Sequence, residues 1–463
     1  MVDTVPLLPH RISSEIQVGV AEKPPPPPPP TLPDLRNYDG SSFISQLIQV
    51  VFVSLAWAFD AQQIFINIFT DAAPAWHCIR GKDSPPCPSS SSPTPCGLPP
   101  QSWAWDLPVH VSVISEWSLQ CSSPLVVALP ATALFVGCLA GGFLLATLAD
   151  SMLGRKNMLV LSCLTMSLSG VLTAASPNVW VYSAFRFLCG FGRSTVCTTA
   201  LVLLSEITGE KWRGRIGVVG FVFFTLGFLS LPAIAYANRS SSWRTLYLWI
   251  SIPSACYSIL IHFLIQESPR WLSVRDTDAT TANGFSSIKM LWERRWTFNR
   301  LTAAMIAGFG IGMVYTGMPL NVGNLGSNIY LSTVFNALAE LPSSLVTFFL
   351  VGRMDRRCSV IAFTTLCGVC NLLCVVLEAE VWRMAAEVVS FFSVCTAFDV
   401  FLIYGIELFP TCVRNSAMSV IRQAIVLGGA FAPLLVALGR KRSFISGPYP
   451  VGIWNQTLSR TCG

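Results

Sequence analysis

Charge is what this sequence has least of. Only 12% of its 463 residues are Asp, Glu, Lys or Arg, about half the roughly 25% of a soluble domain. Hydrophobic residues make up 52%. That excess of apolar surface is more than one soluble core can bury, and it calls for lipid. Histidine is nearly absent: His10, His77, His110 and His262 stand far apart, without metal-ligand spacing. No Ser–His–Asp set or Cys–His pair has a usable context, so the sequence offers no catalytic centre, no metal site and no cofactor site. The net charge of +6 is small, and the cations fall in short clusters between apolar runs. They read as topology signals rather than a nucleic-acid surface. A cleavable signal peptide is also lacking at the start, where Met1–Gly40 is polar and proline-rich. The first span then acts as its own insertion signal.

What is present is a series of membrane-length apolar runs. A spanning helix needs about 20 apolar residues, and about eleven runs meet that need. They cover about Phe43–Phe69, Pro124–Ala149, Met158–Ala175, Val179–Leu204, Ile216–Tyr236, Leu246–Ile265, Leu301–Leu320, Ile329–Val351, Ser359–Leu377, Arg383–Phe409 and Ser416–Leu438. The expected fold class is an all-α polytopic membrane protein. Its organisation is a disordered, proline-rich cytoplasmic tail (residues 1–42), a six-helix bundle (43–265), a cytoplasmic connector (266–300), a second bundle of five spans (301–438) and a polar tail (439–463). The basic clusters occupy alternate connections, which puts them on the cytoplasmic side. The turn LATLADSMLGRKN (Leu145–Asn157) joins two spans into an antiparallel hairpin, and VGRMDRR (Val351–Arg357) repeats the device. Two related halves follow from the repetition. Arg440–Arg442 stand apart from the pattern, on what should be the outer side.

The tail and the first outer loop carry their own signals. Pro24–Pro30 is a polyproline tether. Asp3 with Leu7-Leu8 has the spacing of an acidic dileucine sorting signal, which would direct the chain to a vacuolar membrane; the plasma membrane is the competing address. Of the sixteen cysteines, Cys78, Cys87, Cys96 and Cys121 share the polar loop at residues 70–123. On a non-cytosolic face they would be oxidised to two disulfides, in any of three pairings. Asn238-Arg239-Ser240 is a glycosylation sequon on the same face.

Charges inside spans cost about 2.5–3.5 kcal/mol at a helix centre and face a cavity or a partner. Asp60 lies in the first span, Glu340 in the eighth, and Glu387 and Asp399 in the tenth. Arg186 and Arg193 lie in the fourth, seven apart and so on one helix face, and Arg422 in the eleventh. Mutual pairing is the plain reading of each. As a set they mark a polar pathway, and Asp60 beside Trp57 could hold an organic ammonium by charge and cation–π contact. Gly308-Phe309-Gly310-Ile311-Gly312 resembles part of a phosphate loop, but it sits in an apolar span and reads as helix packing.

Several of these stretches resemble one family. SLAWAFDAQQ (Ser54–Gln63), SEWSLQC (Ser115–Cys121), ESPRWL (Glu267–Leu272) and YGIELFPTCVRN (Tyr404–Asn415) are similar to the organic cation/carnitine transporters of the major facilitator superfamily, in their plant-type branch. The resemblance implies a major facilitator fold: two helical-bundle halves rocking around a central site. By match to the superfamily motif, Asp150, Gly154, Arg155 and Lys156 form a first cytoplasmic gate, with Glu206 and Arg213 as partners. Arg353, Asp355, Arg356 and Arg357 form a second, with Glu407 and Arg414. Tyr315 matches an aromatic position near the family's substrate. With Trp57, Asp60, Arg186, Glu340 and Asp399 it makes up the expected substrate site. The implied partners are a small organic cation or zwitterion, the lipid bilayer, and H+ or Na+ as a coupling ion. An organic anion or a sugar is the alternative substrate.

The chain departs from the family in places. Ala146 stands where the superfamily motif has glycine, and the first turn is one residue longer than usual. Val426 precedes Gly428-Gly429, where cation-selective animal members carry an acid. The family has a twelfth span, and here GPYPVGIWNQTLSRTCG follows the eleventh. The expectation is a chain truncated after that span, which could act as a membrane partner or receptor-like protein instead of a transporter.

Overall fold

The computed structural model describes residues 40–79, 95–96, 98–99, 101–151, 154–207, 213–267, 295–321, 328–350, 353–377, 379–409 and 411–442. The dileucine and polyproline motifs, Cys87, most of the connector and the residues after Arg442 lie outside this set. Helices dominate. The first half holds α1 (Gly40–Phe65), α2 (Asn67–Thr70), α3 (Val113–Glu116), α4 (Pro124–Ser151), α5 (Arg155–Ala174), α6 (Val179–Arg193), α7 (Val196–Ile207), α8 (Arg213–Ala237) and α9 (Trp243–Leu264). The second holds α10 (Arg295–Asn321), α11 (Ile329–Leu350), α12 (Arg356–Val376), α13 (Glu380–Leu408) and α14 (Thr411–Arg442).

Among the described residues, ten helical stretches are long and apolar enough to cross a membrane. The remaining expected span is α11, a helix of 22 residues. It carries a polar face. Asn336, Glu340, Ser343 and Thr347 occupy one face and are all buried, turned towards α8 and α13, on which α11 packs. The expected fourth span is interrupted. A turn at Ser194–Thr195 separates α6 from α7, just after Gly190, Gly192 and Arg193. The hydroxyls of Ser162 and Thr195 meet at 2.7 Å across it.

Helix starts are set by local chemistry. Asn178 caps α6, its side chain accepting from Trp180 N and Val181 N. Ser242 does the same for α9 through Arg244 N. Prolines sit inside α4, α8, α9, α10, α11 and α14, which membrane helices tolerate because neighbours re-satisfy the freed carbonyls.

The halves meet along two seams, α4 against α14 and α8 against α11. Within the halves, α4 packs on α6, α5 on α6 and α9, α10 on α14 and α13, and α12 on α13. Small residues allow the tightest of these approaches. A Cβ on Gly190 would fall on the backbone carbonyl of Leu134, and one on Gly137 would fall on that of Phe187. The only described sheet is a two-stranded antiparallel ribbon in the outer loop, Trp76–Cys78 with Trp103–Trp105, in register Trp76↔Trp105.

The α4–α6 contact yields a prediction. Gly190→Val sets side chain against backbone and should cost about 3 kcal/mol or more, seen as a lowered Tm of the purified protein. Gly368→Ala, with no atom within 4 Å of the added carbon, should leave Tm unchanged.

Candidate functional site

The polar face of α1 is the starting point. Asp60 and Gln63 on α1, and Asn67 at the start of α2, turn towards α6. The Arg193 guanidinium grips Asp60 with two bonds, Nε to Oδ1 at 2.8 Å and Nη2 to Oδ2 at 2.9 Å. The two side chains are 12% and 1% exposed. Cys197 Sγ adds a donor to Oδ2 at 3.3 Å, and Cys138 Sγ lies 3.5 Å from Arg193 Nη1. Arg186, one turn-pair away, gives Nη2 to the Gln63 carbonyl at 2.9 Å and to the Asn67 amide oxygen. Gln63 in turn donates to Ser251 Oγ at 3.0 Å.

This arrangement corrects the expectation for Asp60. It does not stand open beside Trp57 to receive a cation, because Arg193 occupies both its oxygens. Trp57 is buried edge-on against Phe221 at 5.5 Å, and its indole nitrogen has no hydrogen-bond partner. Arg186 likewise is fully buried among α1 groups and is held by them. Spacing places Arg193 on the Arg186 face and mutual pairing of the buried charges is expected, but that Asp60 is its partner is visible only in the fold.

A second acidic centre has no guanidinium partner among the described residues. Glu340 is 7% exposed; its Oε1 accepts the Tyr315 hydroxyl at 2.7 Å, and its Oε2 is buried without a hydrogen-bond partner. Asp399 accepts from Ser344 Oγ at 3.4 Å. Among the described residues neither carboxylate has an ion pair with Lys or Arg. Tyr315 stacks on Phe398 at 5.1 Å and on Phe391 at 5.9 Å. The aromatic line continues into the first half: Phe391 meets Phe228 at 6.5 Å, and Phe228 stacks on Phe65 at 4.0 Å. So Tyr315, Glu340 and Asp399, on α10, α11 and α13, come together, whereas Trp57, Asp60 and Arg186 belong to a separate network on α1 and α6. Glu387 is also buried, accepting from Asn336 Nδ2 at 3.1 Å.

Each basic turn carries an ion pair. Arg155 Nε lies 3.9 Å from Glu206 Oε2. Arg356 Nε lies 2.7 Å from Glu407 Oε2. Gly154 has φ +81°, and its would-be Cβ runs into the Glu267 carboxylate. Glycine is therefore required twice over, by conformation and by space. Glu267 Oε1 accepts Arg155 N at 2.9 Å and Lys156 N at 3.0 Å, closing the N-terminus of α5. Sequence reasoning missed this role, although Glu267 opens the ESPRWL stretch. Asp355 is the N-cap of α12, and Arg353, Asp355 and Arg357 are exposed. Asp150, Arg213 and Arg414 lie on α4, α8 and α14, and their side chains are outside the described set.

The outer loop is tied down by the SEWSLQC stretch. Glu116 accepts from Trp243 Nε1 at 2.5 Å and Arg244 Nη2 at 2.7 Å. Trp117 packs edge-on against Tyr182 and Trp243. Tyr182 donates its hydroxyl to Asp71 Oδ1 at 2.9 Å; burial holds the Asp71 carboxyl above its ordinary range, partly offset by the hydrogen bonds from Asn67 and Tyr182. Cys96 and Cys121 form a disulfide, Cys78 is also disulfide-bonded, and Cys87 lies outside the described residues. Asn238 is half-buried, its amide donating to the Ile234 carbonyl at 2.8 Å.

Comparison with known proteins bears on the family and the fold. Residues 114–297 match the family described as "Sugar (and other) transporter". The chain is 49% identical over 435 residues to Organic cation/carnitine transporter 3 of Arabidopsis thaliana, covering 87% of this chain and 84% of that one. It is 48% identical over 458 residues to Organic cation/carnitine transporter 2 of the same plant, covering 89% and 86%. Among solved structures, a D-xylose–proton symporter superposes with a TM-score of 0.65 at 15% identity, over 90% of this chain and 95% of its own. That likeness carries the fold alone: two helical-bundle halves of the major facilitator type. Identity at this level over most of both chains, on a bundle of this fold, makes the chain a multi-pass membrane protein that belongs to the organic cation/carnitine transporter family.

Proposed function

We propose that the chain moves a small organic cation or zwitterion, carnitine-like, across the membrane by alternating access. The observation that supports this reading is the Glu340–Asp399 centre. Two carboxylates without a cationic partner face stacked aromatic rings, the chemistry that holds a substituted ammonium by charge and by ring contact. Tyr315 orients Glu340 and offers its own ring face. The membrane potential contributes about 2.3 kcal/mol per charge per 100 mV, enough to draw a cation inward without another ion. An organic anion or sugar is less well served, since Arg186 and Arg193 are both engaged by α1. Arg155–Glu206 and Arg356–Glu407 act as latches at the basic face, closing it when formed and opening it when parted. The disulfide-bonded cysteines stiffen the outer loop, and Asn238 is the glycan acceptor.

The Asp60–Arg193 pair supplies a second role. It is a positioning contact: the two-bond grip of Arg193 on Asp60 holds α1 against α6.

Uptake of labelled carnitine and tetraethylammonium tests the main reading. Saturable uptake should appear, and Glu340→Gln should lower kcat/KM by about tenfold or more, as loss of a charge contact of about 1.5–3 kcal/mol requires. Tyr315→Phe should raise KM several-fold, as loss of one hydrogen bond requires. Full activity of Glu340→Gln at normal surface levels would sink the assignment.

The pair is tested by a double-mutant cycle. Arg193→Gln should cost about 3–5 kcal/mol by stranding Asp60, and Asp60→Asn with Arg193→Gln should cost less than the sum of the singles.

A further inference from the structure

Aromatic rings cluster at the end of the α8–α11 seam that lies away from the basic turns. Tyr330, near the start of α11, stacks on Phe69 of α2, with centroids 5.5 Å apart and planes 18° apart. Tyr236, in the last turn of α8, meets Tyr330 edge-on at 5.5 Å. Phe69 and Tyr236 belong to the first half and Tyr330 to the second, so the cluster spans both. Tyr236 is 53% exposed, and a solute can reach its ring.

A cation of the chain's own already sits on these rings. The Arg239 guanidinium stands 4.5 Å from the centroid of the Tyr236 ring, within the roughly 6 Å over which a ring face attracts positive charge. Arg239 is exposed, and among the described residues no Asp or Glu forms an ion pair with it. The ring therefore meets its charge, while its backbone N donates to the Tyr236 carbonyl at 3.3 Å. An exposed contact of this kind changes an affinity by about two- to fivefold, which is weak enough to exchange. A quaternary ammonium suits the same ring face. It donates no hydrogen bond, so a site of rings without a carboxylate acceptor costs it little, whereas a primary ammonium would give up its bonds to water.

We propose that the ring face of Tyr236, backed by Tyr330 and Phe69, is a reception site for a quaternary-ammonium head, separate from the Glu340–Asp399 centre, and that Arg239 is its built-in competitor. The ammonium takes the place of the guanidinium on the ring, and Arg239 turns out to water. Because Tyr330 belongs to the opposite bundle, a cation on the cluster is held where the two halves part. The inference rests on the reading of the chain as a carrier of such cations.

Saturation-transfer NMR of tetramethylammonium on the purified full chain tests the site, in the Glu340→Gln background that weakens the inner one. Tetramethylammonium should still bind there. Adding Tyr236→Leu should weaken it about two- to fivefold, and Tyr236→Phe, which keeps the ring, should not. Arg239→Gln should tighten it by about the same factor, and this substitution leaves the sequon at Asn238 intact. The gain should vanish when Tyr236→Leu is combined with Arg239→Gln, whereas an effect of surface charge alone would survive loss of the ring. No binding in the Glu340→Gln background, binding indifferent to Tyr236→Leu, or a gain from Arg239→Gln that persists without the ring would each overturn the proposal. Failure of the inner site reads differently: Glu340→Gln alone would then leave binding and uptake as they are in the unsubstituted chain, whatever Tyr236→Leu does.

Discussion

Lipid offers no hydrogen bonds, so each polar group inside the bundle must find its partner in the protein. The first half depends on how that demand is met at Asp60. A carboxylate buried on α1 is held by both arms of Arg193, and that single bidentate contact fixes the rotation of α1 against α6. Gln63 and Asn67, on the same face, then reach Arg186, and Gln63 continues to Ser251 on α9. A sheet of polar contacts thus runs through the first half, and apolar side chains on the opposite faces are free to meet lipid or core.

The second half solves the same problem incompletely. Glu340, Glu387 and Asp399 have hydroxyl or amide partners but, among the described residues, no guanidinium. The difference between the halves is a division of labour: the acid on α1 is paired with a guanidinium, and the other half keeps carboxyl groups without that partner, among the described residues, next to aromatic rings. The aromatic line from Phe65 through Phe228 to Phe391 joins them near the seam formed by α8 and α11, where a rocking motion would open and close space.

Most of the architecture could be read from the sequence because hydropathy is a local property. The hairpin turns, the spans and the acids inside them follow from composition and spacing. The bounds shifted where tertiary contacts overrode pattern, as at Ser194–Thr195, and the polar face of α11 is covered by neighbours. The site was less legible. Asp60 and Glu340 look alike as intramembrane acids; which one is neutralised depends on a residue more than a hundred positions away. Gly154 and Glu267 show the same limit. Each stands in a recognisable motif, yet their contact is visible only once α5 and the segment after α9 are brought together.

The outer loop has a consequence of its own. Every contact described for it goes to the first half: Glu116 to α9, Trp117 to α6 and α9, Ser112 to the carbonyls of Thr70 and Ala72. It is fastened to one bundle and bridges to none of the other's helices through these bonds. The loop therefore serves as a handle. A dye or binding protein placed on its exposed ribbon edge, at His77 or Asp106, would travel with the first half as a rigid pointer and report its tilt from outside the membrane.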